Sequence, residues 1–246
     1  MTPEVDILPL HNADGSASYS CNGYSVLAAI NGPIEAQRKD ELPEEAAIDV
    51  IIRPTSGVGG VRERHFESII HKTLRHVILV AAHPRTLIQV TLQVTSAPAR
   101  DSASSKAPQA ASNISILPSL LQASMLALLS TSIPLKMTLT STVIAVDSRD
   151  VLAQDPSPKQ LEAATSVHVL TFSSHGDLLV VESEGQFDMD MWEKVAETAK
   201  QACQGSSRND GDINMEPAKE ANMEGFLKDV MGKKVAMDQR WKETNR

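Results

Sequence analysis

Residues 62–94 read RERHFESIIHKTLRHVILVAAHPRTLIQVTLQV and carry two hydrophobic periods in succession. Phe66, Ile69, Ile70, Thr73, Leu74 and Val77 recur at three- and four-residue intervals, which places one apolar stripe on a helix. Glu63, Lys72 and Arg75 fall elsewhere on its surface. Val77–Ala82 is a continuous apolar run of strand length. After the break His83–Pro84–Arg85–Thr86 the period becomes two: Leu87, Gln89, Thr91 and Gln93 alternate with Ile88, Val90, Leu92 and Val94. Period two means a strand with two different faces. The stretch predicts helix, strand, turn and strand at the centre of an α/β sandwich.

The surrounding 246 residues suit one domain with tails. Hydrophobic residues make up 41% but aromatics only 3%, so the core must be aliphatic. The formal net charge of −8 makes the chain a poor general binder of nucleic acid, because Lys and Arg supply phosphate affinity. RNA contact would need a local basic patch. Cys21 and Cys203 make no disulfide framework and fit a reducing compartment. No secretory signal pattern and no run of membrane-spanning length stand in the sequence, which predicts a soluble intracellular protein. The sequon Asn113–Ile114–Ser115 is then a chance match.

Upstream, Asp14–Gly15 and Asn22–Gly23 are turn dipeptides around a predicted edge strand, Ser16–Cys21. Ser25–Ile30 is the next strand, closed by Asn31–Gly32–Pro33, and Ala46–Ile52 the third, stopped by Arg53–Pro54. Strands paired before any helix predict a mixed sheet. Downstream, Ala97–Ser112 is a Ser/Ala-rich insertion without period. Ile114–Ile133 is apolar on most sides and predicts a buried helix with Pro118 in its first turn. Met137–Val146 is a strand. Val167–Phe172 and Leu178–Glu182 predict a hairpin, and Met189–Gln204 an amphipathic helix with Trp192, Val195, Ala196 and Ala199 inward, capped by Asp188. The composition therefore divides the chain into a domain over 1–204, a linker over 205–222 and a helical tail over 223–246 that the core does not demand. Leu74–Val94 and Ile133–Val146 share a pattern of helix end and apolar strand, which suggests duplicated halves.

Gly57–Val58–Gly59–Gly60 lacks the Gly-Lys-Ser/Thr ending of a phosphate cradle and reads as a plain loop. His11, His65, His71, His76, His83, His168 and His175 form no metal-binding spacing with each other or with the cysteines. There is no Gly-x-Ser-x-Gly nucleophile elbow. Asp147, Asp150 and Asp155 cluster at a strand end; convergent carboxylates there could hold a metal, and the alternative is a polar loop. Arg62 and Arg64 flank the Gly-rich loop at a helix start. They could reach RNA phosphates, or they could pair with Glu63 and Glu67, and spacing alone leaves the two even.

Taken together, several motifs resemble the ribonuclease PH family. These are Asp14–Ala17, Val26–Ala36, Glu41–Leu42–Pro43, Ile52–Arg53–Pro54, Arg64–Glu67, Thr73–Leu74–Arg75, His83–Thr86 and Leu92–Gln93–Val94. Their order and spacing carry the resemblance over residues 14–204. It implies an α+β, ribonuclease PH-like (ribosomal protein S5 domain 2-like) fold: duplicated βαβα halves, mixed sheets and aliphatic helices between them. Active members phosphorolyse RNA from its 3′ end. They hold phosphate with a Gly-Gly-Thr/Ser-Arg run after the Leu-Gln-Val strand, and a pair of acids helps the leaving oxygen. Here that place reads Thr95–Ser96–Ala97–Pro98–Ala99–Arg100. The glycines are missing, Pro98 has no N–H, and Arg100 falls in the insertion. The first acid matches Asp155; the second position is Leu161, with Glu162 one step off.

Loss of the clamp and one acid removes most transition-state stabilisation. The resemblance therefore points to the inactive ring subunits of the eukaryotic RNA exosome. It implies no catalytic residue, no resident metal and no cofactor. It also implies a nuclear, nucleolar and cytoplasmic place. The implied partners are other RNase PH-like ring subunits, S1/KH cap subunits, a hydrolytic nuclease and RNA threading a central channel, with no membrane. Arg62 and Arg64 match the family's channel-loop arginines. The alternatives are a residual metal-dependent nuclease using Asp147, Asp150 and Asp155, or a stand-alone RNA-binding dimer.

Overall fold

A computed structural model describes residues 3–98, 114–205 and 222–243. Strands β1 (Glu4–Ile7), β2 (Gly15–Cys21), β3 (Tyr24–Glu35), β4 (Ala47–Arg53) and β5 (Thr86–Ser96) form one sheet in the order β1-β2-β3-β5-β4. Helix α1 (Val61–Val77) connects β4 to β5, which pair in parallel; the other ladders are antiparallel. The second sheet is antiparallel throughout. It holds β6 (Leu139–Asp147), β7 (Leu152–Gln154), β8 (Ala164–Ser173) and β9 (Leu178–Gly185) in the order β7-β6-β8-β9.

The predicted alternation of β5 is realised: Ile88, Val90, Leu92 and Val94 are all buried, and β3 buries Val26, Ala28 and Ile30 beside them. Helix α2 (Leu117–Ser130) lies between the sheets, with Pro118 in its first turn. Its neighbours on one side include Ala17, Val26 and Leu92, and on the other Leu139, Val143 and Val169. A helix covered on both flanks must be apolar all round, and residues 117–128 are all buried. The far face of the second sheet, with Ile144, Val146, Leu170 and Phe172, is covered by α4 (Met189–Gln204) through Val195, Ala199 and Cys203. The layers are sheet, helices, sheet, helix.

Four expectations need correction. Residues 78–82 form no strand. Ile78 makes one isolated bridge to Leu135, and Val80–Ala82 is a short 3-10 turn. The run is apolar because Ile78 and Val80 plug the core at the end of α1, while Leu79, Ala81 and Ala82 face out. Ser16–Cys21 is not at the edge, because β1 pairs outside it. Asn31–Gly32–Pro33 does not close β3; the strand continues past an irregularity to Glu35. Asp188 precedes α4 but makes no side-chain cap hydrogen bond.

Three further helices depart from the sequence expectation. Helix α3 (Pro158–Ala163) was missed; Ser157 and Gln160 form a capping box at its start. The tail folds as α5 (Met223–Asp238) and α6 (Arg240–Glu243). Leu227 on α5 is 4% exposed and belongs to the main core, with Phe226 and Val230 packed against it. The core does therefore use the tail. Asn222 caps α5 through Gly225 N–H and donates its amide to the Gln204 carbonyl, while Lys234 reaches the Ser130 carbonyl at the end of α2. Most of the insertion and linker, residues 99–113 and 206–221, lies outside the described residues, and so does Arg100.

Candidate nucleic-acid interface

At the head of α1, the 57–60 loop turns back over the end of β4, so that Gly59 lies above the Ile52 carbonyl. Such a helix start leaves backbone N–H groups free to bind an anion. Here the anion is internal. Glu63 is a buried acid on α1, and its Oε2 accepts the Gly60 N–H at 2.6 Å. Burial alone would push the Glu63 carboxyl up. The Gly60 and Glu63 N–H groups and the Arg62 guanidinium outweigh that and hold it below the usual range. The loop is thus plugged by its own carboxylate, which explains physically why it is no phosphate cradle.

Both arginines lie at this point. Arg62 contacts Glu63 Oε1 through Nε and a terminal nitrogen, each at 3.1 Å, and its side chain stays 40% exposed. Arg64 pairs with Glu67 Oε2 at 3.4 Å, yet its side chain is 83% exposed. Glu67 is anchored by its other oxygen, which accepts the Ile52 N–H of edge strand β4 at 2.9 Å. The Arg–Glu network and the outward cations therefore coexist: each carboxylate is fixed to backbone and each guanidinium keeps an open side. Arg53 is exposed at the end of β4. Beside Arg62 runs a cleft of about 330 Å³ floored by Phe66, Val94, Ile116 and Leu120.

The place of the family's phosphate run is tied to its own chain. The Thr95 hydroxyl donates to the Ser25 carbonyl at 3.0 Å, and the Gln93 amide donates to the Pro54 carbonyl at 3.0 Å. Asp147, Asp150 and Asp155 do not converge. The Asp155 N–H bonds the Val143 carbonyl, four residues back along β6 from Asp147. At ~3.3 Å per residue that is about 13 Å. Asp147 is spent on the turn, where Oδ1 accepts the Ser148 N–H at 2.7 Å.

Asp155 itself faces inward. Burial pushes its carboxyl up, partly offset by the Thr142 hydroxyl and the Val143 N–H. Its charge helps push up the acidities of Tyr19, Cys21 and Cys203, the last to about 12, with burial the larger cause in each. Leu161 and Glu162 follow on α3; adjacent helix positions point about 100° apart, so Glu162 does not replace an acid at 161.

A mixed-sheet α+β fold with a cation-rimmed helix start defines the class, and the sequence comparisons name it. The pattern of the RNase PH, 3′ exoribonuclease family, domain 1, matches residues 4–134, and this chain belongs to that family. It is similar to the exosome complex component RRP46 of Saccharomyces cerevisiae, with 30% identity over 212 residues, 83% of this chain and 91% of that protein. It is also similar to the rice exosome complex exonuclease RRP46 homolog, with 41% identity over 86 residues, covering 35% of this chain and 36% of that one. The crystal structure of rice Rrp46 superposes with a TM-score of 0.68 at 26% identity, over 81% of this chain and 87% of that one. An Archaeoglobus fulgidus exosome chain shares the fold at TM-score 0.62 and 12% identity, over 81% and 84% of the two chains.

Proposed function

We propose that this protein is a catalytically silent ring subunit of an RNA exosome. It completes a ring with other RNase PH-like subunits, under S1/KH caps, and passes RNA toward a separate hydrolytic nuclease. Its place is the nucleus, nucleolus and cytoplasm. The yeast relative is named a component of that complex, which supports the assembly role. Val58 and Val61, 93% and 88% exposed beside the arginines, are apolar groups that a neighbouring subunit would cover. Arg62 and Arg64 supply open guanidinium faces that position phosphates without reading bases.

One observation carries the silence. The Thr95 hydroxyl, where the family's phosphate run would begin, donates to the Ser25 carbonyl of its own chain, and Leu161 stands at the place of the second acid. A site with its phosphate run tied up and one acid replaced by leucine lacks the stabilisation that a leaving 3′-oxygen needs. The rice and Arabidopsis relatives are named exonucleases, so the test is direct. Incubated with RNA and inorganic phosphate, the purified chain should release no nucleoside diphosphates. Release that disappears in Asp155→Asn would overturn the proposal. Metal-dependent hydrolysis at Asp147, Asp150 and Asp155 is disfavoured because Asp155 lies four β6 positions away from the turn that holds Asp147 and Asp150. Light scattering, alone and with another RNase PH-like subunit, separates an obligate ring member from a stand-alone dimer.

A further inference from the structure

The tip of the tail carries chemistry that the ring role does not use. From Lys233 to Lys242 the chain has four cations, Lys233, Lys234, Arg240 and Lys242, against a single acid, Asp238, in a protein of net charge −8. Lys234 is turned inward to the Ser130 carbonyl, while Lys233, Arg240 and Lys242 are exposed. Among them stands Trp241, one of only two tryptophans, with 64% of its surface exposed. Met237, one helical turn earlier, is 62% exposed. The Lys242 ammonium lies 5.6 Å from the centre of the Trp241 ring.

Leaving an indole in water forgoes the burial that a core position would give. Helix α5, which leads to this tip, is anchored to the core by Leu227 and Lys234. An exposed aromatic ring with one cation beside it and others on the same tail complements a flexible polyanion with flat bases. Stacking on the ring is sequence-tolerant, and the lysines neutralise phosphates. We infer that Trp241, with Lys233, Arg240 and Lys242, is a second contact for single-stranded RNA. It is separate from the Arg62–Arg64 rim: Lys234 touches the last residue of α2, whereas the cleft beside Arg62 is lined by Ile116 and Leu120 at that helix's start. About 20 Å of helix lies between them.

The test uses the full chain and a short labelled oligouridylate. In a Trp192→Phe background Trp241 is the sole tryptophan, and RNA should quench its fluorescence. Trp241→Ala should weaken binding roughly 5- to 100-fold, and Trp241→Phe should recover most of it. Lys233→Ala with Lys242→Ala should lower the slope of log affinity against log salt by about 1.4. The Arg62→Ala/Arg64→Ala variant should keep the quench, so failure of the loop proposal is distinguishable from failure of this one. Unquenched fluorescence, or unchanged affinity in Trp241→Ala, would overturn the inference. So would self-association of the wild type that Trp241→Ala abolishes with no effect on RNA, because the tip would then be covered by a second copy.

Discussion

Glu63 shows how one side chain sets the character of a site. Its carboxylate fills the anion position at the start of α1 and holds Arg62 at the same time. Glu63→Gln should cost about 1 kcal/mol, read as a shift in the urea midpoint, because the helix start loses its complementary charge. The carboxyl sits below its ordinary value, so its stabilisation is present above that value and disappears as pH falls through the folded one. His168 shifts in the same direction for a different reason, burial instead of hydrogen bonding. It is fully buried on β8, with Ser166 Oγ 3.0 Å from Nε2 and Ser183 Oγ 2.9 Å from Nδ1, and burial holds its pKa below the ordinary histidine value. The unfolded chain takes up this proton near pH 6.5, so the folded state should lose stability as pH drops below that value. Proton NMR of the folded protein checks the assignment; a His168 midpoint at or above that of free histidine would contradict it. The arginines were legible from the motif around them. The burial of Glu63 was not, because a glutamate in a first helical turn reads as solvated.

Among the elements, α5 departs most from its sequence reading. Its apolar residues follow a helical spacing, but nothing in a polar linker announces where the helix returns. Leu227 returns to the main core, so Leu227→Ala should cost about 2–5 kcal/mol, and thermal unfolding should show one lowered transition. A tail independent of the core would leave that transition unmoved. The contact between α2 and β2 is equally exacting. A Cβ on Gly15 would come within 2.7 Å of the Ala127 carbonyl and would also strike Thr131, so Gly15→Ala should destabilise by about 1–3 kcal/mol in the same assay. Helix α2 was legible because apolarity on every side has one cheap explanation, burial between two layers. The short elements β1, β7 and α3 were not; a few polar residues carry too little period, and their pairing or capping partners define them.

For the whole molecule, net negative charge means that the proposed RNA contact has to come from local clusters. Replacing Arg62 and Arg64 by alanine in the assembled ring should weaken RNA passage at every sequence alike. The salt slope of binding should fall by about 1.4, as expected for two lost phosphate contacts. A sequence-selective loss would mean base reading instead. The sequence by itself determined the family, the aliphatic core, the two-faced strand β5 and the all-apolar helix α2, because periodicity and motif order are written along the chain. Only the tertiary structure decided that Glu63 occupies the anion position and that Asp155 lies away from the turn of Asp147 and Asp150. It alone decided, too, that the tail enters the core. Each of these depends on which residues distant in the chain become neighbours in space, and a linear pattern does not encode the direction in which a side chain meets them.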